Sequence, residues 1–243
     1  MLFGDAKKML DLESRARARH WNGDFVMPQL ARLPALIFLA AIVAACATVQ
    51  PTETVGPNDP AALAAIRSAY AKAAEQRSFR ARMTSESDGK VHESTMQFAA
   101  PSSAHMVMKT QNMEHIVIGG AHYMKSDGKW TRLPFDTGNM LEQFRKDPEA
   151  VAAFERTVTG ARLAGAESVG SQRATAYRYY QAAKIAGGMA SSAGWVKIWI
   201  GANGLPLKVE SDATGRVLGL SSHSKTTIFY EDFGAPIRIV APM

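Results

Sequence analysis

The chain has 243 residues, of which 47% are hydrophobic and 21% charged, with a formal net charge of +6 and a single cysteine. Such a composition belongs to an ordinary globular protein and excludes disorder throughout, and one cysteine excludes an internal disulfide framework. The basic excess is mild and spread along the chain, so it makes no case for a nucleic-acid partner.

The first predicted element is an export signal. Residues 33–45, Leu-Pro-Ala-Leu-Ile-Phe-Leu-Ala-Ala-Ile-Val-Ala-Ala, are uniformly apolar, follow Arg32 and stop at Cys46. As a helix rising about 1.5 Å per residue, this run falls well short of a hydrocarbon core roughly 30 Å thick, which suits the central region of a signal peptide better than a stable membrane span. Val43-Ala44-Ala45-Cys46 resembles the lipobox of bacterial lipoproteins, in which small residues admit the peptidase and the cysteine thiol receives diacylglycerol. Cys46 is therefore the expected lipid-attachment residue, with palmitate-class acyl chains on it and on the new N-terminus. At roughly 0.8 kcal/mol per buried CH₂, two or three such chains hold a protein on a bilayer almost permanently. Ala47, where aspartate would signal retention, resembles the signal for transfer to the outer membrane, so the expected location is the cell envelope, on the outer membrane facing the periplasm. Residues 1–26 mix basic and acidic side chains at unusual length for a leader, whereas translation from Met27 gives a short basic one, which suggests a misassigned start.

Residues 1–45 hold six of the basic and four of the acidic residues, which leaves 22 against 18 in the remaining 198 and a net charge of +4. Residues 46–59, with Pro51, Gly56 and Pro57, read as a lipidated tether. Residues 60–243 read as one domain. Asp59 before Pro60 is a good N-cap, and Leu63, Ile66, Tyr70 and Ala73 recur at helical spacing, so an amphipathic helix is expected there. From Phe79 the period becomes two: Phe79, Ala81 and Met83 alternate with Arg80, Arg82 and Thr84, and the alternation returns around Met96, Phe98, Met106 and Met108. Asp88-Gly89, Gly119-Gly120, Asp127-Gly128 and Asn203-Gly204 supply hairpin turns. A second helical stretch is expected over about 137–157, split near Pro148. Strands then follow around Val158–Leu163, Ala174–Gln181, Trp195–Ile200, Leu205–Ser211 and Thr226–Phe233, ending with Ile237 and Ile239. Helix, strands, helix, strands, without βαβ alternation, indicates an α+β fold built on an antiparallel meander.

No phosphate loop, HExxH, GxSxG or paired-cysteine motif occurs. Ser222-x-x-Lys225 has catalytic spacing, but the same spacing recurs in the two Ser-Asp-Gly-Lys turns and its usual partner motifs are missing. His92, His105, His115, His122 and His223 have no helical ligand spacing, so neither a metal nor a cofactor is expected. What stands out is a set of methionines, Met83, Met96, Met106, Met108, Met113 and Met124, on strands where valine and isoleucine are usual. A face of flexible, polarisable thioethers suits greasy ligands of variable shape, and equally an ordinary apolar core.

Several phrases resemble the LolA/LolB-like superfamily, in particular its LppX/LprG-like lipoproteins: Phe98-Ala99-Ala100-Pro101 closing a strand, Ile118-Gly119-Gly120 followed by Tyr123-Met124-Lys125 and Lys129-Trp130, Trp199-Ile200 leading to Gly204-Leu205-Pro206-Leu207-Lys208, and Phe233-Gly234-Ala235-Pro236-Ile237 near the end. The resemblance covers residues 60–243 as loose pattern. It implies an incomplete, strongly curved antiparallel β-barrel covered by helices around an apolar cavity, no catalysis, and a role in binding lipid or the acyl chains of lipoproteins for transport or sorting. A cavity lined by Met83, Met96, Phe98, Met106, Met108, Ile116, Ile118, Tyr123 and Trp130 is expected. The alternative is a non-catalytic module with a filled core that senses stress or binds other envelope proteins.

Overall fold

A computed structural model of the chain describes residues 55–136, 154, 156–185, 190–217 and 220–242. The export signal, Cys46 and the start of the tether lie outside them. The helix α1 (Pro60–Glu75) is followed by strands β1 (Ser78–Ser87), β2 (Lys90–Ala99), β3 (Ser103–Met108), β4 (Met113–Ile118), β5 (Ala121–Ser126), β6 (Lys129–Asp136), β7 (Val158–Val169), β8 (Gln172–Ile185), β9 (Ala190–Gly201), β10 (Pro206–Val217) and β11 (Leu220–Glu231). Among the described residues, no helix is long and apolar enough to cross a membrane.

All eleven strands join one antiparallel sheet in the order β6-β5-β4-β3-β2-β1-β11-β10-β9-β8-β7. Two meanders are thus sewn together where β1 pairs with β11, from Arg80 opposite Glu231 to Ser87 opposite Ser224. The sheet does not close, because β6 and β7 are its two edges. Asp88, Gly89, Gly119, Gly120, Asp127 and Gly128 all take positive φ, the conformation that tight hairpins require and that these dipeptides accept at low cost.

The helix begins where the sequence places it. The Asp59 carboxylate accepts hydrogen bonds from the Ala61 and Ala62 amides at 2.8 and 3.3 Å, with proline in the first turn. Its most buried ridge is Ala62, Ile66 and Ala69, flanked by the partly buried Leu63 and Tyr70. Small residues on either side of Ile66 bring the helix close to the sheet, where it packs with Val158, Ala161, Tyr179, Val196, Ile198, Ile200 and Val209. A second cluster, Ala174, Ala176, Trp199 and Leu207, lies on the reverse face of the same strands, so this part of the sheet is buried on both sides. That explains the nearly unbroken apolar run Trp195–Ile200.

Three features depart from the sequence expectation. Residues 55–59 are docked rather than free: Asn58 donates to the Val158 carbonyl (3.1 Å) and accepts from the Ala161 amide (2.9 Å), the Asp59 amide donates to the Ala161 carbonyl, and a Cβ on Gly160 would meet the Val55 side chain at 2.4 Å. The last strands are longer than their apolar stretches, since β10 and β11 continue through Asp212–Val217 and Leu220–Lys225, where Ser, Thr, Gly and charged residues hide the alternation. Residues 232–242, with Ile237 and Ile239, carry no strand; the Gly234 amide donates to the Ser78 carbonyl at 2.9 Å. The expected second helix lies outside the described residues except for Phe154, Arg156 and Thr157, which have helical backbone.

Ile66→Ala removes a fully buried side chain and is expected to cost about 2–5 kcal/mol of unfolding free energy. Leu220→Ala alters a side chain that is 80% exposed and should change stability by less than about 0.5 kcal/mol. Urea denaturation of the two variants measures both.

Candidate functional site

Cross-strand partners project to the same side of a sheet and successive residues to opposite sides, so the register sorts every strand residue onto one of two faces. On the face that carries α1, which we call the inner face, one row runs from Phe79 through Phe98, Ala104 and Val117 to His122. The next runs Tyr230, Ala81, Met96, Met106, His115 and Met124. A third holds Ile228, Met83, Ser94, Met108 and Met113. The methionine-rich strands therefore present their thioethers as a contiguous sheet face over β1 to β5.

An aromatic belt borders this face. Phe79 stacks on Phe98 with ring centroids 5.3 Å apart and touches Tyr230 (6.0 Å) and Phe233 (5.8 Å). On the helix side, Tyr70 meets Phe154 edge-to-face at 5.0 Å and its hydroxyl pairs with that of Tyr179 at 2.9 Å. Burial pushes both hydroxyls, and that of Tyr230, above the ordinary tyrosine range, so all three stay protonated.

The structure divides the nine cavity residues expected from sequence. Met83, Met96, Phe98, Met106 and Met108 share the inner face. Ile116, Ile118, Tyr123 and Trp130 fall on the opposite face, where Ile116 sits between His105 and Tyr123 and Trp130 lies opposite Lys125. The reason is a one-residue phase difference: β4 reads Ile116-Val117-Ile118, apolar on both sides, so alternation there does not reveal which side faces in. On that outer face Lys125 Nζ donates to Glu114 at 2.8 Å and His105 lies 3.0 Å from the same carboxylate, which holds Glu114 below the usual carboxylate range.

In place of Ile116 and Tyr123, two histidines face inward. His115 and His122 are 7% and 3% exposed, their rings stack at 5.2 Å, and His115 Nε2 lies 3.1 Å from His122 Nδ1. Phe135 covers the second ring at 4.7 Å. Burial, and then the charge of His122, pushes the His115 imidazole down to about 4; burial also lowers His122, opposed by the Asp136 carboxylate. Residue spacing alone did not reveal this pair, although the Gly119-Gly120 turn fixes which residues of β4 and β5 meet.

His92 and His223 sit apart from the pair. His92 pairs with Gln111 at 3.0 Å and His223 with Asp212 at 2.6 Å. Ser222, one residue from His223 along β11, projects to the other face, so the two do not form a nucleophile and base.

Neutral buried histidines make stability depend on pH. Both are held below the usual 6.5 in the folded protein, so between about pH 6.5 and 4 the unfolded chain binds more protons and stability falls as pH is lowered. His115→Gln should flatten that decline, as read from urea midpoints measured across the window.

No family model matches the sequence, and neither does any curated protein. Solved structures do match. LprF from Mycobacterium bovis superposes with a TM-score of 0.52 over 77% of this chain and 99% of its own, at 13% sequence identity. The lipoprotein LppX from Mycobacterium tuberculosis gives 0.50 over 75% and 100%, at 14% identity. Sequence identity this low speaks to architecture alone, and on that ground the chain has the fold of LprF and LppX.

Proposed function

We propose that this chain is a lipid-anchored protein of the bacterial cell envelope whose inner face over β1 to β5 receives acyl chains, from lipid or from other lipoproteins, for transport or sorting. The observation that carries the reading is the placement of Met83, Met96, Met106 and Met108 beside Phe79 and Phe98 on one continuous face of a LolA/LppX-like sheet. The α1 cluster draws on Tyr, Val and Ile from β7 to β10 and includes none of these methionines. A bed of thioethers adapts to chains of different length and unsaturation at little rotameric cost, whereas a β-branched face would not. Cys46 is the proposed lipid-attachment residue, Ala47 favours the outer membrane, and the periplasm is the proposed compartment. The function needs no catalysis and no cofactor.

A second reading is favoured by burial. Met106 and Met108 are only 9% and 6% exposed, as in a filled core, and a filled core suits a non-catalytic module that binds envelope proteins or senses stress.

Native mass spectrometry decides between them on the chain from Thr48 onward, exported to the periplasm and purified without detergent. The acyl-binding reading expects a stoichiometric lipid or fatty acid, lost in Met106→Asp and Met108→Asp but kept in Tyr123→Asp, which changes the opposite face. Lipid retained by folded Met106→Asp and Met108→Asp variants overturns the assignment of the face. A protein that arrives empty and ignores added fluorescent fatty acid supports the filled core.

A further inference from the structure

The strand register flanks one member of the buried histidine pair with methionines. Both cross-strand partners of His115 are methionines, Met106 on β3 and Met124 on β5, and Met96 follows Met106 in the same row. Directly opposed residues on an antiparallel sheet have Cβ atoms about 4.5–5.5 Å apart, within reach of a methionine side chain on either side of an imidazole. His122 completes the group from the adjacent row, with its Nδ1 3.1 Å from His115 Nε2. Two nitrogens bound about 2.0–2.1 Å from a tetrahedral metal stand roughly 3.3 Å apart, so the pair is already near that spacing.

We propose that His115, His122, Met106 and Met124 form a binding site for one soft monovalent cation, copper(I). Thioether donors select copper(I) over calcium, magnesium or manganese, which take oxygen ligands. Among the described residues no third His, Cys, Asp or Glu gathers with the two histidines, so the site lacks the donor set of a zinc or calcium centre. Asp136 acts on His122 through its charge and belongs to no such cluster. The two facing ring nitrogens share one hydrogen bond, so on binding the cation its proton moves to the other nitrogen of the donating ring and no net proton is released. The burial of both imidazoles also shields the lower oxidation state from water. The site shares Met106 and a face with the proposed acyl bed, but His115, His122 and Met124 belong to it alone, so variants at those positions separate failure of one assignment from failure of the other.

The test uses the full chain in detergent with Cys46→Ala, so that no thiol competes, titrated anaerobically with copper(I) against the chromophoric chelator bicinchoninate. One equivalent should be withdrawn from the chelator, and X-ray absorption at the copper edge should show sulfur and nitrogen neighbours together. Met106→Leu and Met124→Leu conserve volume and should leave the fold intact by circular dichroism, yet each should weaken copper(I) binding by about tenfold or more, as should His122→Gln. Met124→Leu keeps an apolar side chain of similar volume on the acyl face, so lipid measured on the same samples should be retained while copper(I) binding weakens. Failure to withdraw copper from the chelator, a copper site without sulfur, or undiminished affinity in the folded leucine variants overturns the proposal.

Discussion

The pairing of β1 with β11 is the constraint on which everything else in the sheet rests. Its eight opposed residue pairs, Arg80–Ser87 with Glu231–Ser224, join strands from opposite ends of the domain. Ion pairs at one end (Arg80 with Asp232, Arg82 with Glu231), a hydroxyl pair between Ser85 and Thr226 within it, and Phe79 against Tyr230 and Phe233 fix its register. The exposed ion pairs add little in energy, so the aromatic contacts and the ladder hydrogen bonds carry the seam. A slip by one residue would send every methionine to the other face. Because the partners are so distant in sequence, the chain must close a long loop before the seam gives anything back, which places this domain among the slower-folding topologies.

The two meanders that meet there solve different problems. The β7–β10 half is packed with Ile198, Val196, Ile200 and Tyr179 under α1, and its reverse face is closed by Trp199, whose indole NH donates to Glu167 at 2.8 Å while Lys197 and Lys208 lie over its ring. Stiff side chains and a satisfied polar layer make that half rigid. The β1–β5 half uses thioethers and a histidine pair, softer groups that admit more than one arrangement. No buried side-chain nitrogen or oxygen among the described residues lacks a hydrogen-bond partner, so the softness is not polar frustration.

How much of this was legible in the sequence follows from where the local code is strong. Asp59-Pro60 and the Asp-Gly and Gly-Gly turns carry intrinsic backbone preferences, and each lies where it was expected. Met83, Met96, Met106 and Met108 recur at a period of two with polar neighbours everywhere but Val107, so their common face was readable. In β4 the code fails, because Ile116, Val117 and Ile118 give no polarity contrast and only the ladder decides that His115 turns inward. The extensions of β10 and β11 were hidden for a related reason: ladder pairing, of β10 with both β9 and β11, holds them without an apolar signature of their own. The approach of Gly194 to Ala213, where a Cβ would lie 2.4 Å from the neighbouring Cα, depends on the ladder as well.

The docking of residues 55–59 against β7 sets a length. If Cys46 carries the proposed lipid, nine peptide units would separate it from Val55, and a fully extended chain spans at most about 3.6 Å per residue, or roughly 32 Å in all. A leash that short would keep the domain beside its own bilayer. Traffic across the periplasm would then have to arrive at the membrane surface, and the side of the sheet bearing the clamp at Asn58 would be the side held nearest the headgroups.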